Sequence, residues 1–350
     1  MKLQGANDKD WQWSSPMEKP VQISGLPWLA EDKIYRRLPQ NPQWPLPPAV
    51  DSLANCTAGA QMRFATNSRR LSIRVQLAAP ASMYHMPATG QCGFDCYIGA
   101  PGQQRYFSTT RYDQKETEYE AVLFDSDNTE LKNITLNFPL YQGVKEVTIG
   151  IEPTAELSTP PQYENGGSVV VYGTSITQGG CAARPGMAYT NILSRRINRE
   201  FINLGFSGNG KGEPELAHNI NQIPDVAAYV LDYDANVNTV EALQKSLPEF
   251  IRILRVDHPA TPILVISRVP TANEFYDAPA VQNRLGKAKV QRDTVALLQS
   301  QGDTNISFLD GAKLLGDDYL ESTVDGAHPT DLGFWLIANA LEPVLKKLLA

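Results

Sequence analysis

The sequence predicts an α/β protein in two parts, an all-β sandwich or jelly roll followed by a doubly wound, five-stranded parallel sheet. Three observations predict it. Short runs of alternating apolar and polar residues recur through residues 1–163. A segment carrying Pro160-Pro161 and Gly166-Gly167 then interrupts the pattern. After Ser168, β-branched apolar runs alternate with helical periods, the signature of a parallel sheet covered by helices.

The first ten residues, Met1 to Asp10, contain no apolar stretch of the kind a signal peptide needs. The expectation is a cytoplasmic protein, or an exported one whose leader has been removed. Four of the five tryptophans (Trp11, Trp13, Trp28 and Trp44) precede the predicted strands. They read as anchors that tie an N-terminal strap to the sandwich, with a sugar-stacking platform as the alternative. The Pro-rich stretch Leu38–Pro48 reads as that strap, extended along the surface. Strands are predicted at 71–77, 94–98, 119–124, 134–138 and 145–151 from their alternation. The four cysteines, Cys56, Cys92, Cys96 and Cys181, are too few for a disulfide framework in 350 residues. Cys92 and Cys96 with His85 would be a partial metal set, but free thiols are the better reading without a fourth ligand.

The linker at 158–167 divides the chain into an N-terminal β-domain, 1–163, and a second domain, 168–350. In the second, strands are predicted at 168–172, 201–204, 227–231, 263–266 and 306–309. Helices are predicted at 188–199, 213–222, 239–256, 279–300 and 331–348, with Pro248 kinking or splitting the third. Net charge is −7, which argues against nucleic-acid binding, because phosphate contacts need clustered Lys and Arg. No apolar run approaches the roughly 20 residues of a membrane-spanning helix.

Four segments carry candidate chemistry. Ser175 follows the first parallel strand in Gly173-Thr174-Ser175-Ile176, where open α/β sheets expose ligands at the carboxyl edge. Asn203–Gly210 follows the second strand and holds Gly205, Gly208 and Gly210, which let the backbone approach a ligand and offer an N–H to an oxyanion. Asn236 follows the third strand and presents a side-chain amide; the neighbouring Asp232 and Asp234 could bind a metal, but read better as structural or as tuning the site. Among His85, His218, His258 and His328, only His328 has an aspartate, Asp325, three residues before it in a Gly-containing loop. An acceptor on Nδ1 leaves Nε2 free to take a proton from a hydroxyl. Each segment alone reads as an ordinary loop. Together they supply a nucleophile, a base, an orienting acid and oxyanion donors, the set needed for acyl transfer. Arg184, Tyr189, Tyr233, Arg268 and Trp335 are candidate pocket residues.

These four blocks, in this order, resemble the SGNH or GDSL-type hydrolases, whose blocks carry Ser, Gly, Asn and His. Thr174 stands where the family name has Asp, Ile176 where it has Leu, and the third block reads Asp234-Ala235-Asn236-Val237. Gly93-Phe94-Asp95-Cys96-Tyr97 resembles the GxDLY motif of a β-domain that precedes some members, with Cys96 in place of Leu. The resemblance implies a flavodoxin-like SGNH domain, a triad of Ser175, His328 and Asp325, and an oxyanion hole of Ser175, Gly208 and Asn236. It implies a carbohydrate esterase acting on acylated sugars or small esters, with no metal or organic cofactor. Alternatives are an acyltransferase using the same residues and an inactive carbohydrate-binding protein. Oligomeric state is left open.

Overall fold

The computed structural model describes residues 10–164 and 166–350. The N-terminal part begins with β1 (Gln12–Ser14), β2 (Gln22–Ser24) and two short helices, α1 (Leu29–Asp32) and α2 (Pro48–Leu53). It continues with β3 (Gln61–Thr66), β4 (Arg70–Leu77), α3 (Ala88–Gln91), β5 (Asp95–Ile98) and β6 (Arg105–Thr109). β7 (Glu118–Asp125), β8 (Lys132–Asn137), β9 (Val144–Ile151) and β10 (Leu157–Ser158) complete it. One antiparallel sheet runs β1-β9-β4-β7; the other runs β10-β3-β8-β5-β6, with β2 also on β3. Their inner faces meet in a core of Phe64, Ile73, Phe94, Leu136 and Ile149, as sandwich strands with alternating burial require.

All five predicted β-runs are strands. β3, an interior strand of its sheet, escapes the alternation test because all six residues are buried. Its polar side chains are satisfied inside: Gln61 donates to Asn137 Oδ1 at 3.0 Å, and the Arg63 guanidinium lies 3.9 Å from the centre of the Tyr163 ring. Cys92 and Cys96 are fully buried in this core, and among the described residues His85 groups with Cys181 and His328 instead of with them.

The second part holds β11 (Ser168–Gly173), α4 (Ser175–Gln178), α5 (Tyr189–Ile197), β12 (Phe201–Gly205) and α6 (Pro214–Ile220). Then come β13 (Val226–Asp232), α7 (Val240–Asp257), β14 (Ile263–Ile266), α8 (Ala278–Ser300), β15 (Ile306–Leu309) and α9 (Asp331–Leu348). The five strands are parallel in the order β12-β11-β13-β14-β15. This is the flavodoxin-like order, in which the chain reverses direction about the first strand and opens a crevice at its carboxyl end. Val170 and Tyr172 face a core built with α6 and α7. Val169 and Val171 face the opposite core with α5 and α9. α7 runs on through Pro248 as one helix of 18 residues, so the expected split does not occur.

The strap crosses to the second part. Leu38, Val50 and Ala54 are fully buried in the core beneath α6 and α7, with Trp28, Leu46 and Leu53 packed alongside. Burying a Leu or Val side chain contributes about 1.5–3 kcal/mol. Trp44 stacks on His218 of α6 at 4.7 Å, whereas Trp11 and Trp13 lie under Arg70 and Arg74 of β4. Trp28 and Trp44 thus anchor to the second part, and Trp11 and Trp13 anchor to the sandwich, so none is shown to tie the strap to the sandwich. Arg37 is fully buried. It donates to the carbonyls of Leu53, Cys56, Asn203 and Gly205 and lies over the Phe206 ring at 4.7 Å. It thus fixes the end of β12, from which the glycine-rich loop springs.

The Gly93–Tyr97 motif performs a second clamp. Asp95 is fully buried. It accepts from Asn137 Nδ2 at 2.7 Å, from the Gly186 N–H at 2.7 Å and from Arg184 at 2.9 Å. Only glycine fits at 186, since a Cβ there would lie 2.5 Å from the Tyr97 ring and 2.7 Å from Asp95. A strand of the sandwich is thereby bonded to the loop that precedes α5.

Candidate active site

β11, β12 and β13 end level with one another, Gly173 pairing with Gly205 on one side and Asp232 on the other. The residues that follow therefore rise side by side from the carboxyl edge. Ser175 opens the single turn α4, which closes on Gly179 in the left-handed region. This turn is rooted in the sheet, because Thr177 and Tyr189 both donate their hydroxyls to Asp232 Oδ2 at 3.1 Å. It is also held from the sandwich, where Tyr141 donates its hydroxyl to the Ser175 carbonyl at 3.0 Å. Gly208 adopts φ +69, and a Cβ there would meet nothing within 4 Å. Glycine is thus required by the backbone turn and not by crowding. The adjacent Ser207 N–H is occupied by Gln178 Oε1 at 3.0 Å. Asn236 closes the 3-10 turn Asp234–Asn236, and its Oδ1 accepts the Gly210 N–H at 3.3 Å. Its Nδ2 is left as the group it can offer to the pocket that it lines.

His328 comes from the loop before α9. A bridge between Thr323 and Pro329 and a 2.8 Å bond from the Val324 N–H to the His328 carbonyl close this loop. Asp325 Oδ1 accepts the N–H groups of Ala327 at 3.0 Å and His328 at 2.8 Å. Its Oδ2 accepts from His328 Nδ1 at 2.8 Å. Burial pushes the Asp325 carboxyl up, but the His328 N–H, the His328 ring and the Ala327 N–H outweigh it and hold the group below its ordinary value. A carboxylate on Nδ1 fixes the tautomer that leaves Nε2 as acceptor, and Nε2 lies 2.8 Å from Ser175 Oγ. The structure thus unites Ser175, His328 and Asp325 and places Gly208 and Asn236 around the same cavity of about 630 Å³.

Among the pocket candidates, Arg268 lines the cavity, with Asn238, Thr271, Asn273, Asn283 and Lys287. The other candidates are engaged elsewhere. Arg184 pairs with Asp95, Tyr189 binds Asp232, Tyr233 is buried beside Tyr172 and Phe250, and Trp335 lies under Arg196. Sequence reasoning missed Tyr141, Gln178 and Asn283, since a lone polar residue in a strand-edge loop or helix gives no local signal.

Asp232 accepts from Thr177 and Tyr189, and Asp234 is fully buried in the turn that ends at Asn236. Burial, reinforced by the Asp234 charge, pushes the Asp232 carboxyl up to about 7. Burial raises Asp234 to about 6 against the attraction of Lys287 and Arg268. A carboxyl whose folded value lies above its unfolded value binds protons more tightly when folded. Its stabilising contribution is complete below about pH 4 and is lost as pH rises through about 7. Asp232→Asn keeps an oxygen to accept from Thr177 and Tyr189 but cannot ionise. The variant should therefore gain stability relative to the parent as pH rises from 4 to 8, read from melting temperatures of both proteins across that range. An unchanged difference would show that Asp232 titrates normally.

A serine bonded to a carboxylate-held histidine, at the carboxyl edge of a flavodoxin-like sheet, has the architecture of an α/β serine hydrolase. Residues 167–346 match the GDSL-like Lipase/Acylhydrolase family, and residues 11–157 match the family described as the N-terminus of Esterase_SGNH_hydro-type. The chain belongs to the GDSL-like lipase/acylhydrolase family. A chain from Bacteroides ovatus ATCC 8483 described as a GDSL-like lipase is 31% identical, with TM-score 0.89, over 97% of this chain and 98% of that one. The salicylyl-acyltransferase SsfX3 of a tetracycline biosynthetic pathway is 20% identical with TM-score 0.80, covering 97% and 98%. A family two carbohydrate esterase from Cellvibrio japonicus is 14% identical with TM-score 0.61, again covering 97% and 98%. A comparison with curated proteins found no significant match. Among the described residues no helix is long and apolar enough to cross a membrane.

Proposed function

We propose that the protein is a serine esterase that removes short acyl groups, acetyl foremost, from carbohydrate hydroxyls. The observation that carries this reading is the unbroken chain from Ser175 Oγ through His328 to Asp325, each link 2.8 Å. His328 Nε2 takes the Ser175 proton as Oγ attacks the ester carbonyl. The oxyanion is held by the N–H groups of Ser175 and Gly208 and by Asn236 Nδ2. The imidazolium, stabilised by Asp325, returns its proton to the departing sugar oxygen. Water, deprotonated by the same imidazole, then attacks the acyl-serine and releases the acid.

The lining favours a hydroxylated alcohol over a lipid tail. Asn238, Thr271, Asn273 and Asn283 are uncharged donors and acceptors, the groups that read sugar hydroxyls, and Arg268 and Lys287 add donors. Arg268 and Arg284 share Glu274 at 2.8 and 2.7 Å, and Lys287 donates to the Asp234 carbonyl at 3.1 Å, so both lining cations are held in place by the protein. The test is acid release from acetylated sugars and from p-nitrophenyl esters of increasing acyl length, with and without an added alcohol acceptor. Acetylated sugars should be turned over best, with acetate as product. Transfer of the acyl group to the alcohol, with little acetate formed, would make the enzyme an acyltransferase instead.

A further inference from the structure

His328 also belongs to a second cluster, whose other two members, His85 and Cys181, the proposed reaction does not use. His85 comes from the segment between β4 and α3, Cys181 follows α4, and His328 comes from the loop before α9. One ligand atom from each of these three residues lies within 4.8 Å of the others. We propose that His85, Cys181 and His328 form a site for a zinc-like divalent cation, whose binding switches off the serine–histidine pair.

Three observations support the site. The donor set is two imidazoles and a thiol, the chemistry that borderline-soft cations such as zinc select. In a tetrahedral zinc site, neighbouring nitrogen and sulfur ligands lie about 3.3–3.7 Å apart, so side-chain rotations of about an ångström would close this cluster on an ion. His85 Nδ1 is buried and makes no hydrogen bond among the described residues. A buried polar atom of that kind calls for a partner. Its ring stands edge-on to His328, with centroids 5.8 Å apart. Cys181 is buried and holds φ +77, a conformation that residues bearing a Cβ rarely adopt.

Inhibition follows from the bonds His328 already makes. Nδ1 is engaged by Asp325 and Nε2 by Ser175. A cation on Nε2 removes the proton acceptor, and a cation on Nδ1 removes the carboxylate that orients the ring. Formation of the metal–sulfur bond sends the Cys181 proton to solvent, nothing is oxidised, and water completes the coordination sphere. The inhibitory half of this proposal rests on the esterase reading, while the binding half does not.

Two measurements test it. Cobalt(II) added to the full chain reports binding through its thiolate-to-metal charge-transfer absorption, without reference to activity. One equivalent should produce the band, Cys181→Ser should abolish it, and His85→Asn should weaken it. Zinc should suppress p-nitrophenyl acetate hydrolysis reversibly, with activity restored by a chelator. Each variant is compared with its own metal-free rate, and both should need at least about tenfold more zinc for the same fractional loss. Absence of the cobalt band in the parent protein would overturn the site. Undiminished hydrolysis with the band present, or equal zinc sensitivity in the parent and in His85→Asn, would overturn the switch. His85→Asn keeps the test decisive if Cys181→Ser folds poorly.

Discussion

Ser175→Ala is expected to lower hydrolysis of p-nitrophenyl acetate by about four to six orders of magnitude. Oγ is the only atom removed, and Tyr141 bonds the Ser175 carbonyl, so α4 keeps its anchor. Circular dichroism and the unfolding midpoint should therefore match the parent. His328→Ala should cost about as much, and the double variant hardly more, because the two residues act as one unit. Turnover within a factor of ten of the parent, by a folded Ser175→Ala protein, would remove Ser175 as nucleophile.

Asn236→Ala is expected to lower kcat by about 10²–10³-fold with KM little changed. The reason lies in how the amide is held. Its oxygen is occupied by the Gly210 N–H, so the nitrogen is offered as a donor. A donor aimed at the oxyanion matters more once the carbonyl oxygen becomes negative, which places the loss in kcat. Asn236→Asp separates this from a structural role. It retains an acceptor for Gly210 but puts a negative charge where the oxyanion develops, so it should be at least as damaging as alanine. Recovery of activity in Asn236→Asp would assign Asn236 to holding the loop.

The sequence made the parallel half legible because its strands are buried on both faces and read as unbroken apolar runs. Val169–Tyr172 is such a run, and all five strands lie where the pattern places them. The meeting of Ser175, Gly208 and Asn236 was legible for a related reason. A parallel sheet forces successive loops to one edge, so residues just past each strand converge whatever their separation in the chain. The partnership of Asp325 with His328 was legible as local spacing. The sandwich was less so. β3 carries Gln61 and Arg63 inside, where hydrogen bonds and ring stacking replace apolar burial, and β6 is an exposed edge strand. The pocket lining was the least legible part. Asn273 and Asn283 lie on elements whose polar residues mostly face solvent, and only the packing of the 3-10 turn Ala272–Phe275 and α8 brings these two to the cavity that Ser175 lines. The clustering of His85 with Cys181 likewise depends on contact between the two halves, which no spacing encodes.

The crossing of Leu38 and Val50 beneath α6 and α7 sets an order of events during synthesis. These side chains and the Arg37 guanidinium leave the ribosome early, but the β12 carbonyls that receive Arg37 are made 166 and 168 residues later. At typical elongation rates of about 5–20 residues per second, the nascent chain carries this apolar stretch uncovered for about 10–40 seconds. A sandwich that has already closed cannot shelter it, since its partners belong to strands and helices still inside the ribosome or not yet translated. The interval between translating residue 54 and Asp257, the end of α7, is thus the window in which this polypeptide is most prone to self-association.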